Sequence, residues 1–133
     1  MRTKFLPLFS FFLIISSFAK SQNKDVIDNL SGFFKTSEAQ KISEYFSSAV
    51  ELNIMAEENS YSKAQAEIIL RDFFFKNKPS SVKILHRLSS NPTYKLAVLS
   101  LQSAKDNFRI TISLTNNGER FLINEIRIEY DKQ

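Results

Sequence analysis

Cysteine and tryptophan are absent from this 133-residue sequence, histidine occurs once, glycine twice and proline three times. Without cysteine there is no disulfide, no thiol nucleophile and no lipid attachment through a cysteine, so the fold must hold by its core alone. The single histidine, His86, would leave any histidine-based metal site or catalytic triad to be completed by carboxylates and serines. No metal ion and no cofactor is therefore expected. With so little glycine and proline, no linker and no low-complexity tract interrupts the chain, and no internal repeat is visible. What is abundant is phenylalanine, thirteen residues of it, which together with the aliphatic residues supplies one aromatic core.

The first residues have a different character from the rest. Arg2 and Lys4 precede an apolar run from Phe5 to Phe18, and small residues follow at Ala19-Lys20-Ser21, ahead of Gln22. A basic start, an apolar centre and a small-residue cleavage site predict a secretory signal peptide over 1–21. Ser17-Phe18-Ala19 is the alternative cleavage site. The run is interrupted by Pro7 and Ser10 and is shorter than the roughly 20 residues that cross a bilayer, so no lasting membrane anchor is expected. The expected product is one domain, residues 22–133, in the periplasm or outside the cell. Losing Arg2, Lys4 and Lys20 leaves 15 basic residues against the 14 acidic ones, so the apparent basicity belongs largely to the leader. The remaining Lys and Arg are scattered among acids rather than clustered to neutralise phosphates, and no nucleic-acid partner is expected.

Hydrophobic periodicity predicts helices first. Val26, Ile27, Leu30, Phe33 and Phe34 fall on one helical face over 24–35. Ser37, three residues before Gln40, has the spacing of a capping box opening a second helix through Tyr45 and Phe46. Alternation of Val50, Leu52 and Ile54 with Glu51 and Asn53 then marks a half-buried strand, and 57–60 reads as a turn. Ser62, with Gln65 three residues on, caps a third helix that runs to Asn77 and is stopped by Pro79. Four strands follow, over 82–88, 94–102, 108–115 and 120–130. Asn117-Gly118 predicts a type I′ turn joining the last two.

Helices followed by a run of strands make the class α+β, with helices packed on one face of an antiparallel sheet. The run Asn59-Ser60-Tyr61-Ser62-Lys63-Ala64-Gln65-Ala66-Glu67 leading into Leu70-Arg71-Asp72-Phe73-Phe74 carries a resemblance, together with Phe108-Arg109-Ile110 and the ending Leu122 to Glu129. The sequence resembles the nuclear transport factor 2-like (cystatin-like) roll. More narrowly it resembles an exported family of unknown function from Bacteroidota. The resemblance implies a helix lying in the concavity of a curved sheet, often with a pocket at the mouth. Ketosteroid isomerases and related dehydratases on this roll set an acid or histidine base and Tyr or Asp donors around a deep apolar pocket. Here Tyr45, Tyr61, Asp72, His86 and Tyr94 are the nearest candidates. Asp72 flanks the apolar stripe of its helix and reads as a solvated carboxylate, so no positioned pair of acids emerges.

The expected activity is accordingly binding rather than catalysis, of a small apolar ligand in a concave pocket bordered by Tyr45, Phe73, His86 and Tyr94. His86 lies in an alternating strand, on the side of Val82, Ile84 and Leu88, which also fits a core histidine. Of Phe73 to Phe75, consecutive positions about 100° apart, Phe75 is expected to pack against another element or line the pocket. The segment Leu96 to Leu101 is apolar on both faces and must be covered twice. Helices cover one face, and the other, with Ala97, Leu99 and Leu101 as its interface residues, is expected to be met by a loop, the N-terminal helix or a second molecule, the last giving a homodimer or another protein contact. Glu125, Arg127 and Glu129 share a face opposite Arg109, and cross-strand pairing is expected there. Recognition of an acidic ligand by Arg109 and Arg127 is the alternative.

Overall fold

The computed structural model describes residues 25–132, so the expected leader lies outside the described residues. The elements are α1 (Val26–Lys35), α2 (Ala39–Ser43), β1 (Phe46–Ile54), β2 (Glu57–Ser62), α3 (Lys63–Lys76), β3 (Pro79–Leu88), β4 (Tyr94–Ser103), β5 (Asn107–Asn116) and β6 (Phe121–Tyr130). The six strands form one curved sheet in the order β2-β1-β6-β5-β4-β3. Every neighbouring pair is antiparallel except β1 and β6, which run parallel. No helix among the described residues is long and apolar enough to cross a membrane.

Period-2 alternation explains why one sheet face carries the core. On the helix side Val50 and Leu52 of β1, Ala97, Leu99 and Leu101 of β4, Phe108, Ile110, Ile112 and Leu114 of β5, and Ile126 and Ile128 of β6 are buried. Ile27, Leu30 and Phe34 of α1 lie against β3 and β4, while Ala66, Leu70, Phe73 and Phe74 of α3 lie against α2, β1 and β2. Phe34 and Phe74 meet edge to face, with ring centroids 5.5 Å apart, and so join the two long helices.

Local chemistry differs from the sequence reading at four places. Ser37 does not cap α2. It sits at φ 58°, and Glu38 occupies the cap position with no side-chain cap bond, so the Ser37/Gln40 spacing is coincidental. The helix ends by Ser43, and Phe46 opens β1 instead. Residues 57–60 belong to β2, and the turn lies before them at Met55-Ala56, both left-handed (φ 51° and 71°) although neither is glycine or asparagine. Asn117-Gly118 does join β5 to β6, but only Gly118 has positive φ. The connection is a four-residue loop in which Asn117 Oδ1 accepts from the backbone N–H groups of Glu119 and Arg120.

A β-bulge in β3 has the largest consequence for side-chain placement. Ile84 is opposite Leu99 but His86 is opposite Val98, so Leu85 is an inserted residue and parity reverses beyond it. Val82 and Ile84 face the helices. His86 and Leu88 face away, and Arg87 turns inward opposite Ala97.

Candidate functional site

The α3 helix starts directly from β2 because Ser62 ends the strand and caps the helix, its hydroxyl accepting from the Gln65 backbone N–H at 3.3 Å. That fixes the helix against the β1–β2 hairpin. With Leu70 and Phe74 turned to the core, the edge Ile69, Asp72, Phe73 and Lys76 faces the hairpin. Between them lies a cavity of about 310 Å³, walled by Leu52, Ile54, Met55, Tyr61, Ile69 and Phe73. Its mouth is polar, with Glu57, Asp72, Lys76 and Asn77 around it. Asp72 and Lys76 pair at 2.8 Å across one helical turn, and Asn77 Nδ2 donates to the Phe73 carbonyl at 3.1 Å, ending the helix. Tyr130 closes the far side, stacked on Phe108, which in turn meets Phe73 edge to face at 5.1 Å. A second, more open cavity of about 660 Å³ adjoins this one and is bordered by Arg109, Glu129, Asp131 and Lys132. Met55 and Tyr130 border both.

Of the four residues expected to border a pocket, only Phe73 does. Tyr45 is half-buried beside Phe33, with ring centroids 6.4 Å apart, and does not border the cavity. His86 is exposed on the outer sheet face because the bulge at Leu85 reverses its parity. Tyr94 shares the outer face of β4 with Leu96 and Val98, its neighbours at two-residue spacing. Two members of the enzyme candidate set, Tyr61 and Asp72, do meet at the cavity. Asp72 is exposed and ion-paired, as its position flanking the stripe suggested. Ala97, Leu99 and Leu101 are not on the outer face: all are fully buried beneath the helices, and Leu96 and Val98 are the outward residues. Phe75 neither packs nor lines the cavity but stands 88% exposed. The hairpin wall, Leu52, Ile54 and Met55, is hidden from sequence reasoning because 57–60 reads as a turn, which conceals the β1–β2 pairing.

Charged groups outside the cavity are mostly paired. Arg87, turned inward by the bulge, meets Asp28 through both terminal nitrogens and reaches Asp25 at 3.7 Å. Its hydrogen bond to Asp28 holds the guanidinium above its ordinary pKa. Lys95 binds Asp25 at 2.7 Å and lies 4.7 Å from the centre of the Phe121 ring. On the outer face Arg127 pairs with Glu125 and Glu129 along its own strand, and Arg109 is opposite Glu129 in register but makes no ion pair among the described residues, so the expected cross-strand pairing is replaced by pairing along β6. Glu51, Glu58 and Glu125 also converge there, with carboxylate oxygens within 4.8 Å of one another.

Comparison with known proteins places this geometry. A family model described as "Domain of unknown function (DUF4783)" matches residues 27–129. A DUF4783 family protein from Bacteroides uniformis is 24% identical, with a TM-score of 0.77 over 82% of this chain and 100% of its own. Another, from Bacteroides fragilis, is 28% identical, with a TM-score of 0.74 over 80% of this chain and all of its own. An NTF-2 like protein of unknown function from Silicibacter pomeroyi is 8% identical, with a TM-score of 0.59 over 79% of this chain and 89% of its own. No curated protein matches the chain. The fold is the nuclear transport factor 2-like, or cystatin-like, roll.

Proposed function

This chain belongs to the DUF4783 family of domains of unknown function, and within it we propose an exported, non-catalytic binding module that takes a small ligand with an apolar body and a polar end. The observation that carries this reading is the cavity of about 310 Å³, whose walls are apolar and whose mouth carries Glu57, Asp72, Lys76 and Asn77. Such a site takes an apolar body by excluding water from it and orients the polar end by hydrogen bonds at the rim. Binding is favoured over acid–base catalysis because both acids at the mouth, Glu57 and Asp72, are exposed, and Asp72 is ion-paired with Lys76 rather than held as a buried base. Export is supported by the order of basic, apolar and small residues from Met1 to Ser21.

A thermal-shift screen of medium-chain fatty acids, alcohols and amines tests the binding. A ligand present at 100 times its Kd stabilises by about 2.7 kcal/mol, a rise of several degrees in Tm. Ile69→Trp, which fills the cavity from its half-buried helix edge, is expected to keep the fold and remove that rise. A crystal structure of the natively produced protein with the cavity closed by its own side chains would refute the reading.

A second reading, association through the outer sheet face, is supported by a separate observation. Leu85 and Leu88 on the edge strand β3 are 41% and 43% exposed, and Leu96 and Val98 lie beside them on β4. Leucines grouped on one sheet face mark a contact surface. Leu88→Asp is expected to convert a dimer at micromolar concentration into a monomer in light scattering. A wild-type chain that is already monomeric there would end this reading.

A further inference from the structure

The outward face of α3 plays no part in the cavity or the sheet contact, yet it is not a normal solvated face. Ala64, Ile68, Arg71 and Phe75 recur at steps of four, three and four, which aligns them in one stripe opposite the buried Ala66, Leu70, Phe73 and Phe74. Ile68 is 60% exposed and Phe75 88%. Helices that pack one face on a core place polar residues on the other. Here two of the exposed side chains of the stripe, Ile68 and Phe75, are large and apolar.

The charge around them is net positive. Between Lys63 and Lys78 four basic residues, Lys63, Arg71, Lys76 and Lys78, stand against two acidic ones, Glu67 and Asp72. Both acids are engaged: Glu67 accepts from Ser43 and pairs with Arg71 at 3.4 Å, and Asp72 pairs with Lys76. Lys63 and Lys78 make no ion pair among the described residues. A shallow groove formed by Ser37, Arg71, Phe74, Phe75 and Lys78 lies at the C-terminal end of the stripe, with a cation on either side of exposed aromatic surface.

We propose that this face of α3 is a peripheral docking surface for an anionic lipid bilayer, Ile68 and Phe75 entering the acyl boundary while Arg71 and Lys78 meet headgroup phosphates. Apolar insertion and basic residues act together at such surfaces. The net positive charge of the helix complements an anionic surface and opposes its packing against the same face of a second copy. Two apolar side chains are also too few to form the desolvated centre of a protein–protein interface, whereas a fluid bilayer accepts them singly. The cavity edge Ile69, Asp72 and Lys76 adjoins the stripe on the same helix, so docking holds the cavity mouth near the membrane surface.

Flotation with vesicles tests the docking, using the chain from Gln22, which retains every described element and lacks the N-terminal apolar run. Binding to vesicles of phosphatidylcholine with about 30 mol% phosphatidylglycerol is expected to exceed binding to phosphatidylcholine alone by about tenfold or more, and to weaken at ~0.5 M salt. Ile68→Ser combined with Phe75→Ser should reduce it by about tenfold or more while leaving the melting temperature essentially unchanged, since both side chains are exposed. Lys78→Glu should reduce it several-fold. Lys105→Ser, in the exposed bend between β4 and β5, should leave it unchanged. Equal binding to both vesicle types, retention by the double serine variant, or loss on Lys105→Ser would each overturn the proposal. So would conversion of a dimer to a monomer by the double serine variant without vesicles, because the stripe would then be a protein contact.

Discussion

Aspartate in place of Leu99 is expected to leave the chain without a cooperative unfolding transition, whereas aspartate at Val98, one residue earlier, is expected to leave it folded. Leu99 is fully buried on the helix side of β4, opposite Ile84 and Ile110. Substitution there removes a leucine contact of about 2–5 kcal/mol. It also buries a carboxylate with no partner, which by itself costs several kcal/mol. A domain of this size has a total stability of about 5–15 kcal/mol, so the combined loss is enough to unfold it. Val98 points the other way, between His86 and Thr111, and is only half-buried. Its loss there is a surface effect of about 1 kcal/mol. Circular dichroism through a thermal scan separates the two. A folded Leu99→Asp protein and an unfolded Val98→Asp protein would mean that the faces of β4 are reversed.

Phe108→Ala is expected to destabilise by about 3–5 kcal/mol and to lower the melting temperature by ~15–25 °C. Its ring is almost fully buried, meets Phe73 at 5.1 Å and stacks on Tyr130 at 5.4 Å. Phe73 and Tyr130 are both cavity walls, so this ring supports the site from behind. The variant should lose ligand-induced stabilisation beyond its loss of fold stability, because the wall it supports can collapse into the void. Phe75→Ala, three residues from Asp72 at the cavity mouth but itself exposed, is the control and should change stability by less than about 0.5 kcal/mol. A Phe108→Ala cost below ~1 kcal/mol would show that the aromatic chain is not a packed unit.

The contrast between Leu99 and Val98 also marks the limit of what the sequence makes legible. The α+β class, the Ser62 cap and the order of the last four strands follow from periodicity and turn chemistry. Periodicity also establishes that Leu96 to Leu101 is apolar on both faces. It cannot say which face meets the helices, because both parities satisfy it, and Ala97, Leu99 and Leu101, expected on the covered outer face, lie on the helix side. His86 fails for a different reason. A single inserted residue, Leu85, reverses parity without any glycine to signal the bulge. The hairpin wall of the cavity was hidden by Met55-Ala56, a left-handed turn built from residues that give no turn signal. Phe75 is the converse case, since a phenylalanine in a run of three reads as core until the helix is wound and it falls opposite the core. Site residues on α3 were therefore partly legible, and those supplied by β1 and β2 were not.

The parallel pairing of β1 with β6 sets when the sheet can be completed. Phe46 pairs with Ile123 and Ile54 with Ile128, contacts that span more than half the chain. The β1–β2 hairpin is made early in synthesis but has no sheet to join until β6 arrives, because β6 is its only link to β5 and β4. Long-range pairing of this kind slows folding and leaves strand edges open meanwhile. A chain emerging from its N-terminus thus stays loosely structured until its last strand is delivered. The wall formed by Leu52 and Ile54 therefore gains its β6 neighbours only when the last strand pairs.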